Sequence, residues 1–449
     1  MRPPLPALAL IACLGTSCAT VHDARAAQDP DTAVLGERSA SLADLGWSNS
    51  GPVALDVLVH EALRVNPAVV KARYDAQAAG ARVSEAEAAK MPQVSADASV
   101  TYRDAQGSAA TEAHHFDSLG FSLSWLLFDF GRNDALQHSA AEAWQAAQLD
   151  ERSAEVDTAF NVRSAYFELV KQQELVVVAS ETVQQFEKRL EQVNGFVDAG
   201  TRIPYDATKA QVDLENARLA EIKARDAALL AQATLAQAIG LREIVDWTPQ
   251  PDASLPELPA DFDAAWEIAR THQPALAAAA ARERAASALV DAHIASLYPS
   301  LGLAASAAES GSGLPLSWNW SLGAALSWVP FDGFERLSTI QESAASLRSA
   351  RTQHTLVEQQ VWLVLRTAWL GMEDARKRLD LTTLAVQSAE QNLELAQGRF
   401  DVGKGTSVEL TDAQQALALA RGDLVQSRAD ERAARAQLAR ALGIVTGKE

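Results

Sequence analysis

Alternation of apolar and polar residues, one position at a time, occurs in four stretches of the chain. The first two cover about residues 94–102 and 119–127, and the second two about residues 301–307 and 318–328. Period-two alternation predicts β-strands with one apolar face and one small, polar face. A strand of about ten residues has the length that a tilted strand needs to cross a bilayer. The sequence therefore predicts four membrane-length strands.

Outside these strands the hydrophobic residues follow a helical period. One pattern without proline runs from about Gly131 to Asp198, which predicts a helix of about 100 Å. Its apolar residues from Val162 to Val197 recur at alternating steps of three and four, the spacing of coiled-coil packing. A turn at Gly200 then reverses the chain, and Pro204 suits the first position of a return helix.

The same order of helices, strands and turn occurs twice. Gly200 and Gly403 are 203 residues apart, and Asp206 and Glu409 keep that offset. We therefore interpret the chain as a tandem duplication, each copy running helix, strand, strand, long helix, helix. The predicted segments are a signal peptide (1–17), an extended N-terminal arm (18–54), a first repeat (55–241), a linker (242–261), a second repeat (262–444) and a C-terminal tail (445–449).

The first residues have the features of an export signal, a positive charge at Arg2 followed by a short apolar run. Both cysteines of the chain, Cys13 and Cys18, lie in this leader. The body is therefore expected to hold neither a disulfide nor a cysteine-based metal site. Cys18 is the preferred site of lipidation and Cys13 the alternative. Cleavage without a lipid, after Ala26, is the third option.

Charge and motif content exclude several classes of function. The formal net charge of −19 argues against a nucleic-acid partner, because phosphate binding requires clustered Lys and Arg. The sequence contains no paired zinc-ligand motif, no phosphate-binding glycine loop and no Gly-x-Ser-x-Gly elbow. We therefore predict no enzyme activity, no cofactor and no metal site. The pair His114-His115 is expected in a surface loop between the first two strands.

Four strands are too few for a membrane barrel, because the smallest closed ones have eight. An open edge in lipid leaves backbone groups unpaired at a cost of several kcal/mol each, so other copies of the chain must complete the sheet. Two, three or four protomers would give eight, twelve or sixteen strands. The small, polar side chains of the inner face would fill little space, so a wide bore is expected. This argues against two protomers but does not decide between three and four.

Tryptophans near the ends of the strands are expected to form an aromatic girdle against outer-membrane lipid. They are Trp125, Trp318, Trp320 and Trp328. The two shorter helices of each copy are together nearly as long as the long one, so they can stack end to end beside it. The expected assembly is a helical tube on a β-barrel, with the two glycine turns forming the tip of the tube.

Several short motifs follow one another in a defined order along the chain. They are Asn66-Pro67, Pro92, Phe128-Asp129, Phe331-Asp332 and the turn pattern Arg399-Phe400-x-x-Gly403-x-x-x-Ser407-x-Glu409. In the order and spacing of these motifs, from about Leu55 to Ile444, the sequence resembles the TolC family of outer-membrane efflux and secretion ducts. The resemblance implies a mainly α fold with membrane β-strands. In that fold three protomers form a twelve-stranded β-barrel and a long coiled-coil, α-helical periplasmic tunnel.

The resemblance also implies partners and a location. Ducts of this family open at the tip when a periplasmic adaptor (membrane fusion protein) and an inner-membrane transporter, of the RND, ABC or a similar class, engage them. We therefore expect a protein of the Gram-negative outer membrane with its helical part in the periplasm. The residues of the two tip turns that are expected to contact the adaptor are Gly200, Thr201, Pro204, Gly403, Gly405, Thr406 and Ser407.

A charged cluster near the second tip turn is the candidate gate. Arg399 is expected to bind a carboxylate and hold the tip shut. Glu390, Glu394 and Asp401 lie close to it along the helix, and which of these carboxylates face the lumen stays open. The first copy has Phe196 where the second has Arg399, so only the second copy is expected to supply the arginine.

We therefore interpret the chain as a passive exit duct that carries exported small molecules, ions or proteins across the periplasm and outer membrane. The alternative is a soluble periplasmic coiled-coil adaptor or structural protein that contacts such a duct. An adaptor would carry lipoyl-like and β-barrel segments and one hairpin, whereas this chain has two hairpins and two pairs of strands. The cargo and the pump class are left open by the sequence.

Overall fold

The structure is a computed structural model that describes residues 41–42, 46, 50–103, 114–250, 259–311, 316–402 and 404–445 of the 449-residue chain. Of the residues predicted to act, Cys13, Cys18 and Gly403 lie outside the described residues. The first half of the chain contains β1 (Ser50–Val53), α1 (Leu55–Val65), α2 (Pro67–Ala88), β2 (Gln93–Arg103), β3 (His114–Phe128), α3 (Arg132–Asp198) and α4 (Pro204–Ile239). The second half contains β4 (Asp246–Pro249), α5 (Phe262–His272), α6 (Pro274–Ala295), β5 (Ser300–Gly311), β6 (Ser317–Ser327), α7 (Glu335–Asp401) and α8 (Ser407–Leu442).

The helices of the two copies match in length and in the residues that start and end them. α2 and α6 both have 22 residues, α3 and α7 both have 67, and α4 and α8 both have 36. Proline starts α2, α4 and α6, where its missing N–H costs no hydrogen bond. Left-handed glycines follow α4 and α8, as is common at helix C-termini. Within the described ranges, none of the helices is apolar over a length that could cross a membrane.

The four long strands form one antiparallel sheet in the order β2-β3-β5-β6. They belong to a compact unit made of residues 72–153 and 273–363. Serine hydroxyls on the polar face bond across neighbouring strands, with Ser95 and Ser122 2.7 Å apart and Ser306 and Ser321 2.8 Å apart. These bonds satisfy the polar side chains, while the apolar residues of the alternating pattern lie on the opposite face. β2 and β6 are the edge strands.

β3 begins earlier than the sequence pattern predicts. His114-His115, which we expected in the surface loop, belong to β3 and pair with Arg103 and Tyr102 of β2. The expectation was wrong because the antiparallel register continues residue by residue to the end of β2. This register gives the backbone of both histidines a strand partner.

An aspartate caps the long helix that follows the second strand of each copy. In the first copy Asp129 accepts a hydrogen bond from the Asn133 N–H at 2.8 Å. In the second copy Asp332 accepts one from the Arg336 N–H at 3.3 Å. A carboxylate at a helix N-terminus satisfies an unpaired N–H group and complements the helix dipole. The repeated Phe-Asp motif therefore has a local structural role in starting α3 and α7.

The turn after each of these aspartates is left-handed at two successive residues. In the first copy Phe130 (φ 55°) precedes Gly131 (φ 86°), and in the second Gly333 (φ 71°) precedes Phe334 (φ 71°). A residue with a side chain costs of the order of 1 kcal/mol in this conformation. The two copies therefore keep the same backbone turn although the order of glycine and phenylalanine is exchanged.

A second compact unit contains the described parts of residues 1–71, 154–272 and 364–449. Its largest cluster of buried side chains joins α1, α3 and the C-terminal part of α4, with Tyr166, Leu169 and Leu235 fully buried. The Tyr166 hydroxyl donates to the Gln250 carbonyl at 2.8 Å, and burial raises the pKa of Tyr166. β1 and β4 pair in parallel beside this cluster.

A buried arginine connects the end of the second copy to the long helix of the first. Arg163 of α3 is buried, and its Nη2 donates to the carbonyl of Val445. Burial lowers the pKa of Arg163, and the charge of Asp56 opposes that shift. Because a buried charge is costly without partners, this hydrogen bond fixes the segment that follows α8 against α3.

The Asn66-Pro67 motif holds the end of α4 against the junction of α1 and α2. The Asn66 side chain donates to the Ala238 carbonyl at 2.7 Å and accepts from the Ala68 N–H at 2.8 Å. Gly240 follows α4 with φ 103°, and a Cβ at this position would lie 3.0 Å from Pro67 Cδ. The contact therefore requires glycine for two reasons, its conformation and its lack of a side chain.

Gly240→Ala is expected to destabilise the protein by about 1–3 kcal/mol, because alanine would adopt a left-handed conformation and crowd Pro67. The thermal unfolding midpoint, followed by the helical circular-dichroism signal in detergent, should fall. Gly371→Ala is the matched control, since Gly371 lies within α7, is exposed and has no atom within 4 Å of the added Cβ. An equal midpoint for Gly240→Ala and the control would contradict this account of the contact.

Candidate functional site

The first tip turn, residues 199–203, joins α3 to α4. Gly200 has φ 66°, and nothing lies within 4 Å of the position where its Cβ would be. The backbone N–H and the hydroxyl of Thr201 both donate to the Phe196 carbonyl at 2.9 Å. Pro204 then starts α4. Glycine is needed in this turn for its left-handed conformation, and the threonine satisfies a carbonyl at the end of α3.

The second tip turn, which joins α7 to α8, has a different construction. The N–H groups of Lys404 and Gly405 both donate to the Arg399 carbonyl at 2.8 Å. A Cβ on Gly405 would lie 2.9 Å from the Phe400 backbone nitrogen. Thr406 is the N-cap of α8, and its hydroxyl accepts a hydrogen bond from the Glu409 N–H at 3.1 Å. Gly405 is thus required because the backbone packs closely against the end of α7.

The structure places Arg399 beside Glu409, while the other predicted gate residues have different partners or are exposed. Arg399 is 61% exposed in the single chain, and its Nη2 lies 3.5 Å from Glu409 Oε2. Asp401 accepts a hydrogen bond from Gln397 at 2.8 Å, and Glu394 is exposed. Arg399 therefore links α7 to α8 across the turn, through the glutamate of the capping motif.

Glu390 takes part in a different cluster of charges. Arg421 of α8 lies 3.3 Å from Glu390 of α7 and 3.2 Å from Glu181 of α3. This arginine therefore connects three helices within one chain. Such exposed ion pairs contribute little to stability individually. The predicted roles of Arg399 and the carboxylates in a gate stay predictions.

Arg189 is buried against residues beside the second tip turn. The sequence pattern did not lead us to predict a role for it. Arg189 lies on α3 and is only 3% exposed. Its Nη2 donates to Ser407 Oγ at 2.8 Å, and its guanidinium carbon lies 4.1 Å from the centre of the Phe400 ring. Arg202 lies over the same ring at 5.1 Å, and Phe196 contacts it edge to face at 6.1 Å.

One signal for Arg189 was present in the sequence. It lies three residues after Phe186 and four before Val193, both of which are buried in the coiled-coil seam. A charged residue at this spacing is on the apolar face of the helix. Such a residue needs partners, because a buried charge without them is costly. Its partners Phe400 and Ser407 are in the other copy, and the helix pattern gives no information about them.

Apolar side chains surround both turns on the surface. The large hydrophobic residues next to the turns that are at least half exposed are Ile203, Tyr205, Val402 and Val408. Exposed apolar residues that cluster on a surface are typical of sites that bind another protein. The adaptor contact predicted for the glycines and for Thr201, Pro204, Thr406 and Ser407 stays a prediction.

Two of the predicted girdle residues make equivalent hydrogen bonds in the two copies. The Trp125 indole N–H donates to the Lys90 carbonyl at 2.9 Å, and that of Trp328 donates to the Leu297 carbonyl at 3.1 Å. Each bond connects a strand end to the segment after α2 or α6 while the side chain stays exposed. Exposed rings with a satisfied N–H suit a membrane interface.

Trp318 and Trp320 lie towards the opposite end of β6 and are exposed. The role of the four tryptophans as a lipid girdle stays a prediction. In the part of the chain that the structure describes, no group of three His, Cys, Asp or Glu side chains is arranged to hold a metal ion.

Comparison with known proteins shows the family of the chain. The model of the outer membrane efflux protein family matches residues 58–241 and 266–444, which is more than half of the chain. The chain belongs to the outer membrane efflux protein family. Among its relatives, the outer membrane efflux protein BepC of Brucella suis biovar 1 (strain 1330) is 24% identical over 382 residues, covering 83% of this chain and 82% of that protein. Protein CyaE of Bordetella pertussis is 28% identical over 373 residues, covering 79% of this chain and 75% of that protein.

Solved structures show the same fold. The crystal structure of CusC matches with a TM-score of 0.80 at 19% identity and covers 87% of this chain and 92% of that one. The outer membrane protein VceC of Vibrio cholerae matches with a TM-score of 0.75 at 21% identity and covers 87% of this chain and 96% of that one. These findings confirm the predicted mainly α, TolC-like tandem repeat with four membrane-length strands.

Membership of the family also confirms the predicted function and location. The protein is an exit duct of the outer membrane, and its helical part lies in the periplasm. The alternative of a soluble periplasmic adaptor finds no support in either comparison. The family that matches is one of transport proteins.

Removing the cap of α8 should loosen the second tip turn locally. Thr406→Val keeps the size of the side chain but removes the oxygen that accepts from the Glu409 N–H, at a cost of about 1 kcal/mol. Amide hydrogen exchange in the first turn of α8 should then become about fivefold faster. Thr406→Ser keeps the acceptor and is the control. Exchange as slow in Thr406→Val as in Thr406→Ser would show that the cap is unimportant.

Proposed function

We propose that three copies of this chain close one channel, each giving β2, β3, β5 and β6 to a twelve-stranded barrel in the outer membrane. The observation that carries the proposal is the sheet itself, in which no described strand pairs with the outer edge of β2 or of β6. In lipid, each unpaired backbone group costs several kcal/mol. The strands of an outer-membrane duct therefore need partners, and neighbouring copies supply them. The number three comes from the resemblance to the TolC family.

The helices support the same assembly. Large apolar side chains on α4 and α7 are exposed in the single chain, although coiled-coil helices normally bury such residues against a neighbour. Those on α4 are Val212, Leu219, Ile222, Leu229 and Leu230, and those on α7 include Leu356, Leu370, Leu381, Leu384 and Leu395. In the proposed trimer they pack between protomers and form the wall of the periplasmic tunnel.

Cysteine scanning tests the closure of the sheet. Both native cysteines are at positions 13 and 18, so a cysteine introduced into the strands has no competitor in the body. Ala98→Cys in β2 is combined in turn with single cysteines at residues 318–326 of β6. At least one pair should give disulfide-linked dimers and trimers on a denaturing gel, and no larger species.

Ala98→Cys alone is the control and should stay monomeric on the same gel. The scan covers nine positions because the register between copies depends on the tilt of the strands. A complete absence of cross-links, or a ladder that continues beyond three, contradicts the trimer.

The two tip turns bind the periplasmic adaptor, through which the duct is coupled to an inner-membrane transporter. The exposed apolar residues beside both turns support this assignment, because they provide area that a partner can bury. Ile203 and Tyr205 lie beside the first turn, and Val402 and Val408 beside the second. In this interpretation Gly200 and Gly405 shape the turns, while the neighbouring side chains contact the adaptor.

Replacing one apolar residue at each turn should abolish this binding. In the double variant Ile203→Glu and Val408→Glu, charges replace apolar contacts, and co-purification of the adaptor from membranes of the native host should fall at least tenfold. Ile244→Glu is the control, because Ile244 is similarly exposed but lies outside both turns. Trimers should persist in both variants. Undiminished co-purification with the double variant would refute binding at the turns.

A further inference from the structure

The end of the four-stranded sheet that adjoins the helices contains a cavity of about 160 Å³ between the two copies. The first copy lines it with the end of β3 and the start of α3. The second copy lines it with the end of α6, the start of β5, the end of β6 and the start of α7. All of these segments belong to one compact unit of the chain. A single water needs about 10–15 Å³ of cavity volume, so there is room for a phosphate group.

Two arginines supply positive charge to this cavity. Arg336, the second residue of α7, is held by two contacts. Its Nη1 donates to the Val329 carbonyl at 3.1 Å, and its Nε lies 3.2 Å from Asp332 Oδ2. Arg132, the first residue of α3, is exposed, and its side chain has no hydrogen-bond partner within the described part of the chain. A guanidinium has five N–H donors in a planar fork, so both arginines keep donors for a ligand.

The carboxylates beside these arginines are already engaged. Asp129 lines the cavity, and its two oxygens accept from backbone N–H groups of the turn into α3 at 3.2 and 2.8 Å. Asp332 accepts from the Arg336 N–H at 3.3 Å as the cap of α7. Arg132 is therefore a cation without a carboxylate partner in the described ranges. An anion that enters the cavity meets two guanidiniums, which bind phosphate and carboxylate groups through charge-assisted hydrogen bonds.

Exposed aromatic rings border the cavity. Trp328 and Tyr298 line it and are 59% and 54% exposed. Tyr298 stacks on Phe130 with ring centres 5.2 Å apart, and Phe130 contacts Phe128 edge to face at 4.8 Å. Grouped rings with exposed faces are typical of the headgroup level of a membrane, where lipid covers their apolar bodies. Because the helical part of the protein lies in the periplasm, this end of the sheet is at the periplasmic leaflet.

We propose that the cavity binds the phosphate of an anionic phospholipid of the periplasmic leaflet. Arg132 and Arg336 pair with the phosphate oxygens, which the planar guanidinium group matches in geometry. Trp328 and Tyr298 cover the glycerol and the first carbons of the acyl chains. The combination of two cations with an apolar rim suits an amphipathic ligand, whereas free phosphate would use the arginines alone. An anionic headgroup is preferred because a zwitterionic lipid carries its own ammonium group, which competes with the arginines.

The duplication does not repeat this site. At the offset of 203 residues that relates α3 to α7, Arg132 corresponds to Glu335 and Arg336 corresponds to Asn133. In the proposed assembly, the equivalent junction lies between the second copy of one chain and the first copy of the next. A carboxylate and an amide replace the two guanidiniums there, so that junction has no cation pair for a phosphate. The inference therefore predicts one lipid per chain, and the site is complete within a single chain.

Native mass spectrometry of the purified, delipidated protein in detergent measures the bound lipid. Phosphatidylglycerol is titrated, and phosphatidylcholine with the same acyl chains is the comparison. The unmodified protein should saturate at one phosphatidylglycerol per chain, with a lower apparent Kd than for phosphatidylcholine. Arg132→Gln should raise the Kd for phosphatidylglycerol about tenfold, because hydrogen bonds between charged groups are lost. Arg132 contacts no other described side chain, so this variant tests the site without removing a contact of the fold.

Arg348→Gln is the matched control. Arg348 is also an exposed arginine of α7, but it lies about 18 Å beyond Arg336 along the helix and does not line the cavity. Its Kd for phosphatidylglycerol should equal that of the unmodified protein. Inorganic phosphate, added at millimolar concentration, is the second arm. It should leave phosphatidylglycerol bound, because it gains nothing from the aromatic rim.

Failure of this inference and failure of the proposed function give different results. Equal Kd values for Arg132→Gln and Arg348→Gln, or saturation at two phosphatidylglycerols per chain, overturn the lipid site and leave the duct and its trimer untouched. Displacement of the lipid by inorganic phosphate would show that the cavity takes free phosphate, which contradicts the lipid assignment. A weaker Arg132→Gln with an unchanged control and no displacement supports it. If the protein proves monomeric, the ratio of one lipid per chain is still expected.

Discussion

Backbone hydrogen bonding in lipid is the constraint on which this structure depends. Water is absent from the bilayer core, so each N–H and C=O of a membrane strand needs a partner from protein. Three strand pairs, β2 with β3, β3 with β5 and β5 with β6, satisfy the interior of the sheet. The outer edges of β2 and β6 pair with no described strand, and in the proposed assembly other copies of the chain supply their partners. The exposed apolar residues on α4 and α7 likewise require a neighbouring surface against which they can be buried.

The tandem duplication supplies strands that satisfy one another's backbone hydrogen bonds. The pairing of β3 with β5 joins the first copy to the second in one antiparallel sheet. Because the strand order follows the chain order, β6 of one protomer and β2 of the next would continue the same alternation of directions. Each hairpin of strands leads into a long helix whose first turn is capped by Asp129 or Asp332. One helix–strand–strand–helix–helix plan, used twice in each chain, thus supplies both the sheet and the helices.

The sequence predicted those features that depend on local patterns. The alternation in β6 and the cap at Thr406 follow from a few neighbouring residues, and the length of α3 follows from a long helical pattern without proline; the structure agrees with all three. His114 shows where this reasoning ends, because a strand's extent depends on the partner strand as well as on its own pattern. Arg189 shows the same limit for the candidate site. Its burial could be predicted from the spacing along α3, whereas Ser407 and Phe400 could be found only once the two hairpins were packed.

The two tip turns have diverged although the helices around them have kept their lengths. The first turn depends on the left-handed conformation of Gly200, and the second on the close approach of Gly405 to the end of α7. The arginine comes from one copy, and the serine and phenylalanine that it contacts come from the other. A contact between unlike residues of this kind reflects divergence of the two copies after the duplication, because two identical hairpins would present the same side chains to each other.

Native mass spectrometry of the detergent-solubilised protein tests the central claim most directly, which is that neighbouring copies complete the open sheet. The account predicts a single assembly with the mass of three chains, each at most 48.0 kDa and smaller by its leader if that is removed. The assembly should keep this mass after dilution, because dissociation would expose unpaired strand edges. A stable monomer whose four strands remain folded in the same detergent would contradict the account.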